Sequence, residues 1–460
     1  MRLKKKAKSL LLLSLSIILV LSACSGGSSS PTTAPSGQSN TTAQAGATSA
    51  APETTGNTEA PKELVIYGID TLKETDYDFF FSDFEKANNC KITYIGSPSD
   101  KYAQMLMVAI NGNQAIDALS INGQNARAFY KMGLVEDLTD QITFWDRFHE
   151  GGYAPLTFNN RQFYVPSGPG TTSAFYYNKE IFEEYGLEPP ETIDDLLAIA
   201  NTLDGTGISA ITNGGATTYM WPIWFFEMLN QTSGGKALER TIEVMENKAK
   251  WTDPVFVEAM SALQTIGTGK NVFQLGFNGQ DQDAGLANLT AGKAAMWYGL
   301  SSRYYSFVDS GLNLGATMLP MINEGNTLAA TGGPFSLGLG IYKGIREENR
   351  ELVLKLFDYM SDVEFGLKIV EKSPRPPLLT NKDLGDVELR DDVVRILKER
   401  ISPTVVVYLD WYYPPEITTA IQQQIQAVTG GQISAENAMI EMQKVQDELF
   451  ANGYDYNETE

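Results

Sequence analysis

Residues 174–205, AFYYNKEIFEEYGLEPPETIDDLLAIANTLDG, constrain this chain more than any other stretch. Residues 174–177 are apolar and aromatic, as in a buried strand. Asn178 follows, and its side-chain oxygen suits the cap of a helix, where it accepts a first-turn N–H. Residues 179–185 read as two helical turns, and Gly186 fits the left-handed position that ends them. Pro189 and Pro190 forbid a helix there. Thr192 then caps a longer helix, with Asp195 three residues on as a near capping box. Ile193, Leu196, Leu197 and Ala200 recur at helical spacing and give that helix a buried face.

The same alternation begins earlier. Strands are expected at 63–68, 91–96 and 118–121, and helices at 77–87 and 101–110. Phe80, Phe81 and Phe84 line the buried face of the first helix, and Tyr102, Met105, Leu106 and Ala109 that of the second. Strands alternating with helices imply an α/β chain with parallel sheets and helices on both faces. Ligands bind such sheets beyond the carboxyl ends of the strands. The loops at those ends carry Asp70, then Ser97 and Asp100, then Asn122 and Gln124. Asp70, Ser97 and Asp100 suit helix capping equally well.

The words in the stretch also carry a resemblance. YNKEIFEEYGLEPPETIDDLLAIA resembles the signature of family 1 extracellular solute-binding proteins of the maltose-binding type, the sugar receptors of ABC importers, with Ile193 where Trp is common. Residues 116–142 resemble the family segment that opens on Pro-Asp, with Ile116 in place of the proline. Gly292, Lys293, Ala294, Ala295 and Met296 resemble the family's word at the second crossing between lobes, and Ser301 stands where a later Trp is common. Gly332 and Gly333 follow in family order, then Arg375, Pro376 and Pro377, and a capped C-terminal helix starts at Ser434.

The resemblance implies a two-lobed periplasmic-binding-protein fold of type II. Each lobe would hold a mainly parallel sheet flanked by helices, and the discontinuous lobes would join at a hinge. The expected first lobe is 62–168 with 300–343, and the second is 169–299 with 344–460. The ligand would be a sugar or oligosaccharide in the cleft, delivered to the membrane permease of an importer. Aromatic faces suit sugar rings, since they offer flat apolar area at little rotamer cost. Tyr219, Trp221, Trp297, Tyr298, Trp411 and Tyr412 are the candidate platforms, with Asp70, Asp100, Asn122, Gln124, Arg303 and Gly333 as further ligand contacts. Trp221 and Trp224 also stand at a spacing that suits core packing, which leaves Tyr219 the better platform.

The N-terminus reads as targeting. Arg2, Lys4, Lys5, Lys6 and Lys8 precede an apolar run at 10–21 that is short for a membrane span. Leu21, Ser22, Ala23 and Cys24 resemble a lipobox, which implies cleavage after residue 23 and acylation of Cys24, palmitate included. Residues 25–60 hold no aromatic and no large aliphatic side chain, so a flexible tether is expected from 24 to 61. The expectation is a lipid-anchored monomer on the extracellular face of the cell membrane. The formal net charge of −21 becomes more negative once the basic leader is removed, which opposes nucleic acid as a partner.

Catalytic patterns do not assemble. The chain has one histidine, His149, and Tyr153 occupies the position where a zinc-binding HExxH needs the second. No G-x-S-x-G occurs, Cys90 has no nearby partner cysteine, and the Gly267–Lys270 run lacks the first glycine and the final Ser or Thr of a P-loop. The reading is a binding protein without enzymatic activity, cofactor or metal. An extracellular glycoside hydrolase, with paired carboxylates and similar aromatic platforms, is the enzymatic alternative. A sugar-sensing lipoprotein outside transport is the other, since a fold does not fix a function.

Overall fold

In the computed structural model the described residues are 60–69, 77–97, 99–148, 156–167, 170–304, 307, 310–333, 337–372, 392–401 and 404–456, apart from the side chains of 99, 100, 124, 337, 370, 372, 394 and 398. Residues 1–59, with Cys24 and most of the expected tether, lie outside them, as does the Arg375–Pro377 motif.

The chain opens as β1 (Lys62–Ile69), α1 (Tyr77–Asn88), β2 (Cys90–Ser97), α2 (Ser99–Asn111), β3 (Ala118–Ile121) and α3 (Gly123–Lys131). A small hairpin of β4 (Thr157–Phe158) and β5 (Arg161–Gln162) leads to β6 (Val165–Ser167). The first sheet has the order β2-β1-β3 and is completed by β12 (Leu337–Ile341) and then β6. β1 pairs in parallel with β2 and β3, whereas β12 is antiparallel to both β3 and β6.

The organising stretch builds the start of the second sheet. Its strand is β7 (Thr171–Asn178), followed by α4 (Lys179–Tyr185) and α5 (Ile193–Leu203). Asn178 accepts from the N–H of Glu180 at 2.9 Å, Gly186 takes φ 64°, and Thr192 and Asp195 form the full capping box. β8 (Ser209–Thr212), α6 (Met220–Thr232), α7 (Ala237–Met245), α8 (Pro254–Thr268), α9 (Gln282–Thr290) and β9 (Ala294–Leu300) follow. β9 lies between β8, parallel to it, and β7, antiparallel to it. β10 (Leu314–Thr317) and β11 (Gly332–Gly333) both run antiparallel to β7.

Both sheets are therefore mixed rather than mainly parallel. Strand pairing also departs from the expected lobe boundaries. Within 300–343, expected in the first lobe, 314–317 and 332–333 pair in the second sheet. Within 344–460, expected in the second lobe, α10 (Arg350–Met360) and α11 (Val363–Lys372) pack on the first sheet through Leu352, Val353, Leu356, Phe357 and Phe365. An ion pair between buried Asp117 and half-buried Arg346 ties that return to the first sheet. Asp117, fully buried, accepts from the N–H of Val65 at 2.8 Å, from Asn349 Nδ2 at 3.1 Å, and from the Arg346 guanidinium. A carboxylate so buried is tolerable only when its oxygens are satisfied this fully. The chain ends in the second half with α12 (Asp392–Ile396), α13 (Pro415–Thr429) and α14 (Ala435–Ala451). Ile417, Ile421, Ile425 and Val428 form the expected apolar stripe of α13, all buried in the second core.

The strand directions bring the two sheets' functional edges to the same connections. β1, β2 and β3 end at one edge of the first sheet, and β6 ends there too, because Ser167 pairs with Leu337 and Ile121 with Gly338. In the second sheet β8 and β9 end at the edge where β7 begins, since Ser173 pairs with Leu300. The chain passes directly between these edges twice, from Ser167 to Thr171 and from Gly333 to Leu337. The carboxyl-end edges, where α/β sheets bind ligands, thus adjoin the crossings.

Candidate functional site

The edge of the second sheet carries the polar and aromatic groups. Beyond β8 the chain runs through 213–219 into α6, and Tyr219 precedes that helix. Tyr219 keeps 38% of its surface exposed. Its hydroxyl sits at the enclosed end and donates to Gln282 Oε1 at 2.9 Å. Burial raises the phenol's pKa, and the charge of Arg303 and the bond to Gln282 oppose that rise. Beyond β9 a single tight turn, Ser301–Arg303, presents Arg303, whose guanidinium lies 3.5 Å from the Asp283 carboxylate. At the start of β7, Thr171 Oγ1 and Tyr408 Oη are 2.6 Å apart. The Tyr408 ring lies 5.1 Å from that of Trp411.

Trp411 joins the two halves. It packs against the core of β1–β3, whereas Tyr408 and Tyr412 on either side pack against the second core. Its indole lies on Gly123, the first residue of α3, where a Cβ would collide with the ring. One helical turn later Arg127 stands over the ring of Tyr456 at 6.0 Å and over Phe158 at 5.5 Å. Residues 123 and 127 share a face of α3.

Neutral amides surround this edge of the second half. Gln274 Nε2 donates to Asn213 O at 2.6 Å and to Gln280 Oε1 at 3.0 Å. Asn288 Nδ2 donates to the same Gln280 oxygen at 3.0 Å, and Thr218 donates to Gln422 Oε1 at 2.8 Å. Beneath the crossings stands Glu227 of α6, wholly buried. Its Oε1 accepts from Tyr298 Oη at 2.5 Å, from the N–H of Thr331 at 2.8 Å, and from Ser173 Oγ. Burial pushes its pKa up to about 7, against the lowering effect of those hydrogen bonds. Among the described residues, no group of three or more His, Cys, Asp and Glu side chains is placed to hold a metal ion.

The expected contacts divide accordingly. Tyr219 and Arg303 stand together at the second edge. Asn122 caps α3, accepting from the N–H of Asn125 at 3.0 Å. Gly333 forms backbone pairs with Thr171 at the crossing, and Tyr412 is half-buried. Three expected platforms are core residues instead. Trp221 packs among Trp224, Phe273 and Phe277 and donates its indole N–H to Gly215 O at 3.0 Å. Trp297 and Tyr298 are consecutive in β9, so the pleat sends them to opposite faces, and both faces are covered. A ring covered in this way presents no face to a ligand. Asp70 lies outside the described residues, as do the side chains of Asp100 and Gln124.

Gln282, Glu227, Gly123 and Tyr408 are the residues that sequence reading missed. Gln282 and Glu227 lie in helices whose pattern marks only burial. Tyr408 lies three residues before the Trp411 cluster and shares its aromatic character.

The sequence matches the profile of bacterial extracellular solute-binding proteins over residues 70–364. It is 27% identical over 247 residues to an uncharacterized ABC transporter extracellular-binding protein of Pyrococcus horikoshii, covering 50% of this chain and 51% of that one. It is 26% identical over 214 residues to an sn-glycerol-3-phosphate-binding periplasmic protein of Brucella abortus, covering 44% and 46%. The chain thus spans about half the length of these curated relatives. Among solved structures, a chitin oligosaccharide binding protein superposes with a TM-score of 0.74 at 20% identity, over 85% of this chain and 100% of that one. The profile match runs through both sheets and both crossings, and the chain belongs to the family of bacterial extracellular solute-binding proteins.

Proposed function

We propose that this protein captures a neutral sugar or oligosaccharide between its lobes and delivers it to the permease of an ABC importer, performing no chemistry on it. The observation that carries the reading is the composition of the second edge. The half-exposed ring of Tyr219 is set among amides and hydroxyls, and the cation there, Arg303, is already opposed by Asp283. Such an edge matches hydroxyls and ring oxygens. A phosphate ester, the ligand named for the Brucella relative, calls for uncompensated positive charge or converging backbone N–H groups. The chitin oligosaccharide binding protein, which shares this fold, supports the carbohydrate reading through the ligand it is named for.

Ligand bound between lobes favours the closed arrangement by its greater affinity for it. Acylation of Cys24 and a tether over 25–60 would hold the receptor at the outer face of the membrane. The test is a thermal-shift panel of maltose, raffinose, a chitin oligosaccharide and glycerol 3-phosphate, since a ligand that binds only the native state raises the melting temperature. A rise with a neutral saccharide is expected. A rise with glycerol 3-phosphate alone would replace the carbohydrate reading, and shortened oligosaccharide products would favour a hydrolase.

A further inference from the structure

We propose that Gln282 is a ligand contact that sets specificity, its carboxamide N–H donating to an oxygen of a neutral polyhydroxylated ligand seated on Tyr219. The proposal rests on the carbohydrate reading above and adds a residue and a bond polarity to it.

Gln282 opens α9 and is 5% exposed. Its backbone N–H donates to Thr217 Oγ1 at 2.9 Å, and its Oε1 accepts from Tyr219 Oη at 2.9 Å. Those two bonds fix both ends of the residue. Its Nε2 is left without a partner among the described residues. A buried donor without a partner is costly, and most such groups in folded proteins are satisfied. Of the neighbouring amides, Gln274 and Gln426 each place their Nε2 on two acceptors, whereas Asn213, just beyond β8, leaves its buried Nδ2 without a partner among the described residues. Trp224 and Trp251 also leave an indole N–H unpaired, but both stand wholly inside the second core. Gln282 differs from all three by its neighbour, since its Oε1 is bonded to a tyrosine that is 38% exposed.

The missing partner is an acceptor, because Nε2 only donates once Oε1 is engaged by the tyrosine. A hydroxyl or ring oxygen meets that need without bringing charge. An anion would also meet the carboxylate of the adjacent Asp283, which already holds Arg303 at 3.5 Å. Tyr219 acts on both sides of this arrangement. Its ring supplies apolar area, and its hydroxyl turns the Gln282 amide so that the N–H faces away from it.

The experiment measures affinity by calorimetry on the full mature chain, using whichever of maltose, raffinose and a chitin oligosaccharide most raises the wild-type melting temperature. Gln282→Met keeps the length and removes the amide. Gln282→Glu keeps an acceptor for Tyr219 and removes the donor. Both variants are expected to bind about tenfold more weakly or worse, the usual scale for one buried hydrogen bond to ligand. Gln282→Met removes the unpaired Nε2 but also the Oε1 that accepts from Tyr219, so its ligand-free melting temperature is expected to stay close to wild type. Wild-type affinity in both variants overturns the proposal. A lowered ligand-free melting temperature with unchanged affinity also overturns it and makes Gln282 a structural residue. If Gln282→Met fails to fold, the affinity of Gln282→Glu decides. If the wild type binds none of the three saccharides, the carbohydrate reading has failed first, and this proposal falls with it.

Discussion

Glu227 brings an ionisable group beneath the crossings, and its bonds reach three chain segments that meet there: Ser173 of β7, Tyr298 of β9 and Thr331 before β11. With its pKa raised from 4.5 to about 7, the native state binds the proton more tightly than the unfolded chain. The stabilisation is therefore fully present below 4.5 and is lost as pH rises through about 7. Over that window the loss amounts to about 3 kcal/mol, at roughly 1.4 kcal/mol per unit. Urea unfolding at pH 5 and pH 8 should show wild type losing stability that Glu227→Gln retains. Equal changes in the two proteins would remove Glu227 as the source. Trp297→Ala should cost about 3–5 kcal/mol, as for a buried Trp, while a Trp411→Ala protein stays closer to wild type in stability. Chemical denaturation of both variants checks this, and a larger loss at Trp411 would contradict it. Residue chemistry was only partly legible beforehand. The GKAAM word reads as a mark of the second crossing, whereas it leads into β9 inside the second sheet. Which of the aromatics after it faces a ligand depends on what covers each side of the sheet, and distant segments supply that cover.

At the scale of elements, local signals were read well. The Asn178 cap, the left-handed Gly186, the Thr192–Asp195 box and the Ser434 cap all involve neighbours within four residues, and all form. Pairing between strands far apart in sequence was not legible. β10 joins β7 across more than a hundred residues, and β11 has only two residues, too few for a periodicity to show. Likewise the Asp117–Arg346 pair, which precedes α10 and α11 on the first sheet, has no local sequence signature. The contact between α3 and the Trp411 segment is of this long-range kind. Gly123→Ala would force the indole away, so a double-mutant cycle with Trp411→Ala should give a coupling energy of about 0.5 kcal/mol or more. Additive effects in thermal or urea unfolding would mean the two residues are independent.

The whole molecule was legible in outline because the 174–205 word lies just after the first crossing and Gly332 and Gly333 lie just before the second. The chain's exchanges between halves were placed too early in the sequence, since short antiparallel strands after 300 still extend the second sheet and α10 and α11 still pack on the first. At this scale the N-terminal segment makes its own prediction. Cys24→Ala should release the protein to the medium or leave it uncleaved, as read by fractionation. Processing and membrane retention like wild type would refute the anchor. The most direct test of the central claim is a calorimetric titration of the mature chain with the saccharide that most raises its melting temperature. One intact saccharide bound per chain, with a negative heat-capacity change from apolar burial against the aromatic rings, is the predicted result. No heat with any neutral saccharide, or a ligand recovered in shortened form, would contradict it.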